Sequence, residues 1–198
     1  MKKKIEKQDF PTAGQLEKEL KRVQYKHRYR STFRSTFFVL VIVAAIAVLV
    51  ATLWLPILQI YGDSMSPTVS EGDIVLSVKS PNFDVGDIIS FYYNNKLLVK
   101  RVIGRPGDWI KIDNDGNVFV NNEQIDESAY LDQSQKSMGE CDLIFPYQVP
   151  AERYFVLGDH REVSLDSRNS TIGCISKDQI VGKLTFKLWP LNEIRKLG

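Results

Sequence analysis

Ser64, in Gly62-Asp63-Ser64-Met65-Ser66-Pro67-Thr68, is the first residue of this chain that looks equipped for chemistry. It stands just after a long uncharged apolar run, and Pro67 biases Ser66 toward extended backbone. A serine hydroxyl is a weak nucleophile until a neighbouring base takes its proton, so without one Ser64 is only a loop residue. The chain offers two bases. His160 has Asp159 beside it, but adjacent residues of an extended segment point opposite ways, so a triad would join Ser64, His160 and Asp166. His27 lies on the other side of the apolar run.

Lys100 is the second base. It sits in Leu97-Leu98-Val99-Lys100-Arg101-Val102-Ile103, a strand-like segment that is apolar on both faces, and period-2 alternation groups it with Leu98 and Val102. An ammonium in such a setting is poorly solvated, and both desolvation and the adjacent Arg101 lower its pKa. Acting as a base near neutrality requires a fall of about 2–3 units, roughly 3–4 kcal/mol of differential stabilisation. The alternative is a lysine that snorkels to solvent from an edge strand. Neither base is selected by the local sequence alone.

The elements that must hold these groups are a span and a folded domain. Residues 1–34 carry 11 Lys/Arg against 4 Asp/Glu, and residues 35–198 carry 15 against 20. Ser35 to Gly62 contains no charge, and its core, Phe37 to Leu58, is long enough to cross ~30 Å of hydrocarbon as a helix. A cleavable leader has a shorter apolar region, so an uncleaved anchor is expected. The basic segment before it places the N-terminus in the cytoplasm and the remainder outside. The same asymmetry explains the basic patch better than nucleic-acid binding does, and anionic lipid is its expected neighbour. The partition is a basic cytoplasmic tail at 1–34, a transmembrane anchor at 35–60 and an extracytoplasmic domain at 61–198. Leu16, Leu20, Val23 and His27 recur at helical spacing, yet a solvated tail is the favoured reading of residues 1–34.

Beyond the anchor the pattern is β. Strands are expected at Ile74 to Val78, Ile88 to Tyr93, Leu97 to Ile103, Trp109 to Ile112, Val118 to Val120 and Tyr154 to Leu157. Ile180-Val181 and Leu184 to Trp189 are expected to close the sheet. Asn94-Asn95 has the composition of a hairpin turn, and Asp113 to Asn117 of a second. Residues 121–150 read as a loop-rich insertion. Short strands with frequent turns predict a mainly β fold, an antiparallel, partly barrel-like sheet behind one transmembrane helix. Cys141 and Cys174 are permitted a disulfide outside the membrane, but Cys174 also fits as a small buried hydrophobe. No Cys/His spacing suits a metal.

Three segments in order, Ser64-Met65-Ser66-Pro67-Thr68, Lys100 to Asp108 (KRVIGRPGD) and Gly158 to Arg168 (GDHREVSLDSR), resemble the boxes of type I signal peptidases. Gly86-Asp87-Ile88-Ile89 and Ile180-Val181-Gly182-Lys183 are similar too, so the likeness covers residues 37–190. It implies Ser64 as nucleophile and Lys100 as general base, with Met65 beside the nucleophile as a substrate-binding residue. It further implies that the Ser164 hydroxyl orients the lysine amine, and that Arg101, Asp159, Asp166 and Arg168 form a bracing charge network. The implied substrates are preprotein signal peptides with small side chains at the first and third positions before the cut; no metal or organic cofactor is implied. His160, Glu162 and Val163 depart from the usual third box, which touches the network's detail more than the dyad. Gly62 stands where some members carry a serine that helps the oxyanion hole and where others, including many Gram-positive members, have Gly as here, which would leave the Ser64 N–H as the main donor. The rival readings are a non-catalytic relative that assembles surface proteins, a repressor-type Ser-Lys autoprotease and a membrane-tethered scaffold. Loss of Ser64 or Lys100 would mark the first, a cytosolic DNA-binding domain the second, and the third explains none of the boxes.

Overall fold

The computed structural model describes residues 13–54 and 57–197, in two compact units divided at Ala51/Thr52. The described part of the first is helical, and its helix, α1 (Ala13–Trp54), runs on to Trp54. It takes in residues 13–34, which the composition favoured as a solvated tail: they are exposed where described, but helical. The run of residues with good helix propensity from Gln15 to Arg22, with a Glu17–Lys21 pair at i,i+4, is the local reason. Thr32–Val50 is long and apolar enough to cross a membrane, and its large side chains are exposed. The span ends sooner than Leu58. Ile57–Gln59 form a strand instead, in keeping with a sequence that carries Pro56, which has no N–H to continue a helix.

The second unit is built from twelve strands: β1 (Ile57–Gln59), β2 (Ile74–Val78), β3 (Ile88–Tyr93), β4 (Lys96–Gly104), β5 (Trp109–Ile112), β6 (Val118–Val120), β7 (Glu123–Gln124), β8 (Tyr147–Gln148), β9 (Arg153–Leu157), β10 (Ile175–Ser176), β11 (Ile180–Trp189) and β12 (Arg195–Lys196). They form an eight-stranded sheet in the order β1-β2-β11-β3-β4-β9-β10, with β12 also on β11, and a four-stranded sheet in the order β7-β6-β5-β8. Every pairing is antiparallel. The larger sheet stays open, with β1 and β10 at its ends. The two segments expected at 180–181 and 184–189 are one strand, and it lies inside the sheet between β2 and β3 rather than closing it. Shifts in register near Gly182 and Thr185 let it change partners along its length.

Two local features set β4, the strand that carries Lys100. At its start Asn94 and Asn95 both have positive φ (46° and 63°), and Tyr93 pairs with Lys96. That is the two-residue hairpin whose twist matches the strands. At its end Gly104 passes so close to the second sheet that an added Cβ would lie 2.5 Å from Ile110 Cδ1. Between these points β4 pairs with β3 from Lys96 to Arg101, but with β9 only from Arg101 onward. The other edge of Lys96–Lys100 therefore has no strand partner among the described residues. Three apolar clusters hold the unit. Ile89, Phe91, Val102 and Val156 lie in one, and Ile103, Ile110, Phe155 and Leu157 bind the two sheets in another. Met65, Val69, Val75, Ile88 and Leu184 form the third, behind the Ser64 loop.

Candidate active site

Ser64 lies in the turn after β1. That turn is fixed from within by Ser66 N–H donating to Asp63 O and Val69 N–H to Met65 O, and from outside by His160 N–H donating to Ser64 O at 3.1 Å. Met65 and Val69 bury themselves in the core below, which pins the loop on either side of Ser66. Lys100 reaches the same point from β4. Its Nζ is 2.5 Å from Ser64 Oγ, and the side chain is almost fully buried. Burial lowers the Lys100 pKa to about 8, a fall that the Asp166 charge opposes, Arg168 reinforces and Asp159 again opposes. An amine so placed is in part neutral near physiological pH and has the hydroxyl proton within reach.

The alternative triad is not assembled. No side-chain hydrogen bond joins His160 to Ser64 or to Asp166, and His160 Nδ1 is buried without a partner among the described residues. Asp166 is engaged elsewhere. Its Oδ1 accepts from Arg168 Nε at 2.8 Å, and its Oδ2 from Arg168 Nη2 at 2.9 Å and from the Gly158 N–H at 3.0 Å.

The expected single network of Arg101, Asp159, Asp166 and Arg168 is two separate forks. Arg101 donates to both Asp159 oxygens, at 2.8 and 2.7 Å, and to Gly86 O at 2.8 Å. Asp159 also accepts from Thr68 Oγ1 at 2.5 Å, which ties this fork to the end of the Ser64 loop. Arg168 holds Asp166 and, through Nη1, Met138 O at 2.7 Å. Both forks are buried, where a charge left without its partner is costly. Ser164 lies close by, but its Oγ is buried without a hydrogen-bond partner among the described residues, and no bond links it to Lys100. It packs against Gly158, where a Cβ would come within 2.1 Å of Ser164 Oγ and 2.5 Å of Ser64 O.

A third buried ion pair was not legible in the sequence. Arg161 and Glu127 are both 1% exposed and form an ion pair, while Arg161 Nε donates to Gly158 O at 3.0 Å. Tyr130 OH donates to Glu127 Oε1 at 3.0 Å, and its ring lies 3.8 Å from the Arg101 guanidinium. The loop-rich segment thus packs directly behind the strand of Lys100. Glu127 sits in a polar stretch with no periodicity, and its partner is 34 residues away; only the quoted third box hinted at Arg161.

A cleft of about 470 Å³ opens beside the Ser64–Lys100 pair. One wall is Leu58 to Gly62, the other Lys96 to Lys100, and Met65 contributes between them. Met65 is 2% exposed, so it meets the cleft as part of the core rather than as a free surface side chain. Cys141 and Cys174 are free thiols, and burial pushes the Cys174 pKa up to about 11. No group of His, Cys, Asp and Glu suited to a metal occurs among the described residues.

The sequence model described as signal peptidase, peptidase S26, matches residues 33–189. The chain is 38% identical over 154 residues to signal peptidase IB of Staphylococcus aureus (strain Mu50), covering 69% of this chain and 78% of that one. It is 39% identical over 145 residues to signal peptidase I S of Bacillus subtilis (strain 168), covering 68% and 77%. A crystal structure of a signal peptidase I from Enterococcus faecalis V583 aligns at 28% identity and a TM-score of 0.43, over 55% of this chain and 100% of that one. With nearly the whole strand-bearing unit matched and the identity this high, the chain belongs to the signal peptidase family, peptidase S26.

Proposed function

We propose that this chain is a membrane-anchored serine endopeptidase that removes signal peptides from exported preproteins, with Ser64 as nucleophile and Lys100 as general base. The observation that carries the reading is the 2.5 Å contact between a buried lysine amine, its pKa lowered to about 8, and a serine hydroxyl. Neutral Lys100 takes the proton as Ser64 Oγ attacks the scissile carbonyl. The Ser64 N–H, which has no protein acceptor among the described residues, donates to the developing oxyanion. The Lys100 ammonium then protonates the leaving amine, and Lys100 activates water to hydrolyse the acyl-enzyme. Substrate enters extended, adding a strand to the unpaired edge of β4 at Lys96–Lys100. Leu58, Ile60, Leu98 and Val99 in the cleft wall suit apolar side chains next to the cut. Thr32–Val50 anchors the chain, with the basic N-terminal part cytoplasmic and the β unit outside.

Purified full-length protein and a preprotein in detergent test this. Ser64→Ala and Lys100→Ala should each abolish cleavage, with no further loss when combined, because the two act as one unit. Lys100→Arg should be equally inactive, since a guanidinium stays charged. His160→Ala should keep most activity. An active Lys100→Ala protein beside an inactive, folded His160→Ala protein would replace this mechanism with a histidine base.

A further inference from the structure

The cleft beside Ser64 carries charge of one sign only. Its charged lining residues are Lys96 and Lys100, and no carboxylate contributes to it. Lys100 is engaged with Ser64, whereas Lys96 is exposed at the far end and has no ion-pair partner among the described residues. Both are on β4, four residues apart, so the Cα positions are about 13 Å apart along the strand. Alternation puts Lys96, Leu98 and Lys100 on one face of the strand. The unpaired edge runs from Lys100 in one direction only, because β9 occupies it from Arg101.

We propose that Lys96 is a specificity-determining residue that favours a carboxylate five residues before the scissile bond. The inference rests on the proposed function, since it requires a peptide lying along this edge with its reacting carbonyl at Ser64. A strand so placed, with its first residue before the cut opposite Lys100, has its third opposite Leu98 and its fifth opposite Lys96. In this register the peptide runs parallel to β4 at a spacing of about 4.8 Å, so opposite charges on the same face attract and like charges repel. Lys100, beside the first position, is engaged with Ser64, and Leu98, beside the third, is apolar, so the preference at the fifth is the one read by a free charge. Substrates of this class combine small residues near the cut with an acidic side chain at the fifth position.

The experiment uses full-length protein in detergent at low salt and three peptides, alanine at the first and third positions and Glu, Gln or Lys at the fifth. The kcat/KM values should fall in the order Glu, Gln, Lys, with steps of roughly 2–5-fold carried mainly by KM. The order should invert in Lys96→Glu, and the differences should shrink at high salt. Ratios between peptides within one variant are independent of how much of that variant is folded. An order left unchanged by Lys96→Glu, or equal rates for all three peptides, overturns the inference and leaves the dyad standing. A Gln peptide that is not cut, or is cut equally by Ser64→Ala, overturns the function on which the inference rests.

Discussion

Arg101 and Asp159 meet fork to fork, with Arg101 Nε 2.8 Å from Asp159 Oδ1 and Nη2 2.7 Å from Oδ2. Arg101 is the chain neighbour of Lys100, and Asp159 begins the loop whose His160 N–H holds the Ser64 carbonyl. The pair therefore joins the strand of the proposed base to the loop behind the proposed nucleophile. Tyr130 covers the guanidinium from the other side.

Breaking that pair should cost more than removing it. Asp159→Asn leaves the buried Arg101 cation without its counter-charge and should destabilise the β unit by about 3 kcal/mol. Arg101→Met combined with Asp159→Leu removes both charges and should recover much of the loss. Thermal unfolding of the three proteins at one pH compares them. Equal losses in the single and double variants would show that the fork is not what holds this region.

Gly158 should tolerate no side chain. A Cβ there meets Ser164 Oγ at 2.1 Å and the Ser64 backbone oxygen at 2.5 Å, and the backbone partner cannot swing aside as a flexible side chain can. Gly158→Ala should either fail to fold or push the Ser64 loop off Lys100. In folded protein the second outcome reads as a loss of at least tenfold in cleavage rate, since small misplacements at reacting groups are expensive. A folded Gly158→Ala protein with wild-type activity would show that the loop has more freedom than the packing indicates.

The long strands were legible because their signals are local. β2 to β6, β9 and β11 have alternation or β-branched runs bounded by Gly, Pro and Asn turns, and the Asn94-Asn95 turn fixed where β4 begins. β1, β7, β8, β10 and β12 were not legible. They are two or three residues long, too short for any periodicity, and β1, β8 and β10 owe their strand geometry to distant partners such as Tyr154 for Ile175, whereas β7 is the local hairpin partner of β6 across Asn121-Asn122. The same distinction governs the site. Ser64 and Lys100 were candidates from the residues around each of them, and were singled out by three segments that resemble one family in order. The partition of the charges into Arg101–Asp159, Asp166–Arg168 and Arg161–Glu127 depends on how the loop at 158–168 folds back on itself, and nothing local encodes that. A carboxylate such as Glu127, in a stretch rich in polar residues, looks like any solvated side chain until the fold buries it.

Membrane orientation is the next prediction. The charge balance on the two sides of Thr32–Val50 leads to an N-terminus inside and the β unit outside. Protease added to intact protoplasts should degrade an epitope in residues 61–197 and spare one placed before residue 32. Protection of both epitopes, or loss of only the first segment, would reverse the assignment.

Lys100 should leave the same signature in rate and in stability. Below pH 8 the neutral fraction of an amine with a pKa of about 8 rises tenfold per pH unit, so kcat/KM should climb with pH and level off above 8. The stability effect has a definite sign. In the unfolded chain Lys100 titrates near the ordinary lysine value of 10.5, and in the folded chain near 8. Between those values the unfolded state binds more protons, so stability rises with pH across that window. Below pH 8 both states are protonated, and the folded protein carries the full penalty of a buried cation, about 3 kcal/mol for a shift of this size. Lys100→Met has no such penalty. Its unfolding temperature should therefore exceed that of the wild type most at pH 7, and the gap should narrow steadily toward pH 10. Every other titrating group is common to the two proteins and cancels in the comparison. A gap that stays constant from pH 7 to 10, together with a flat rate profile, would mean that Lys100 keeps an ordinary pKa and cannot be the base.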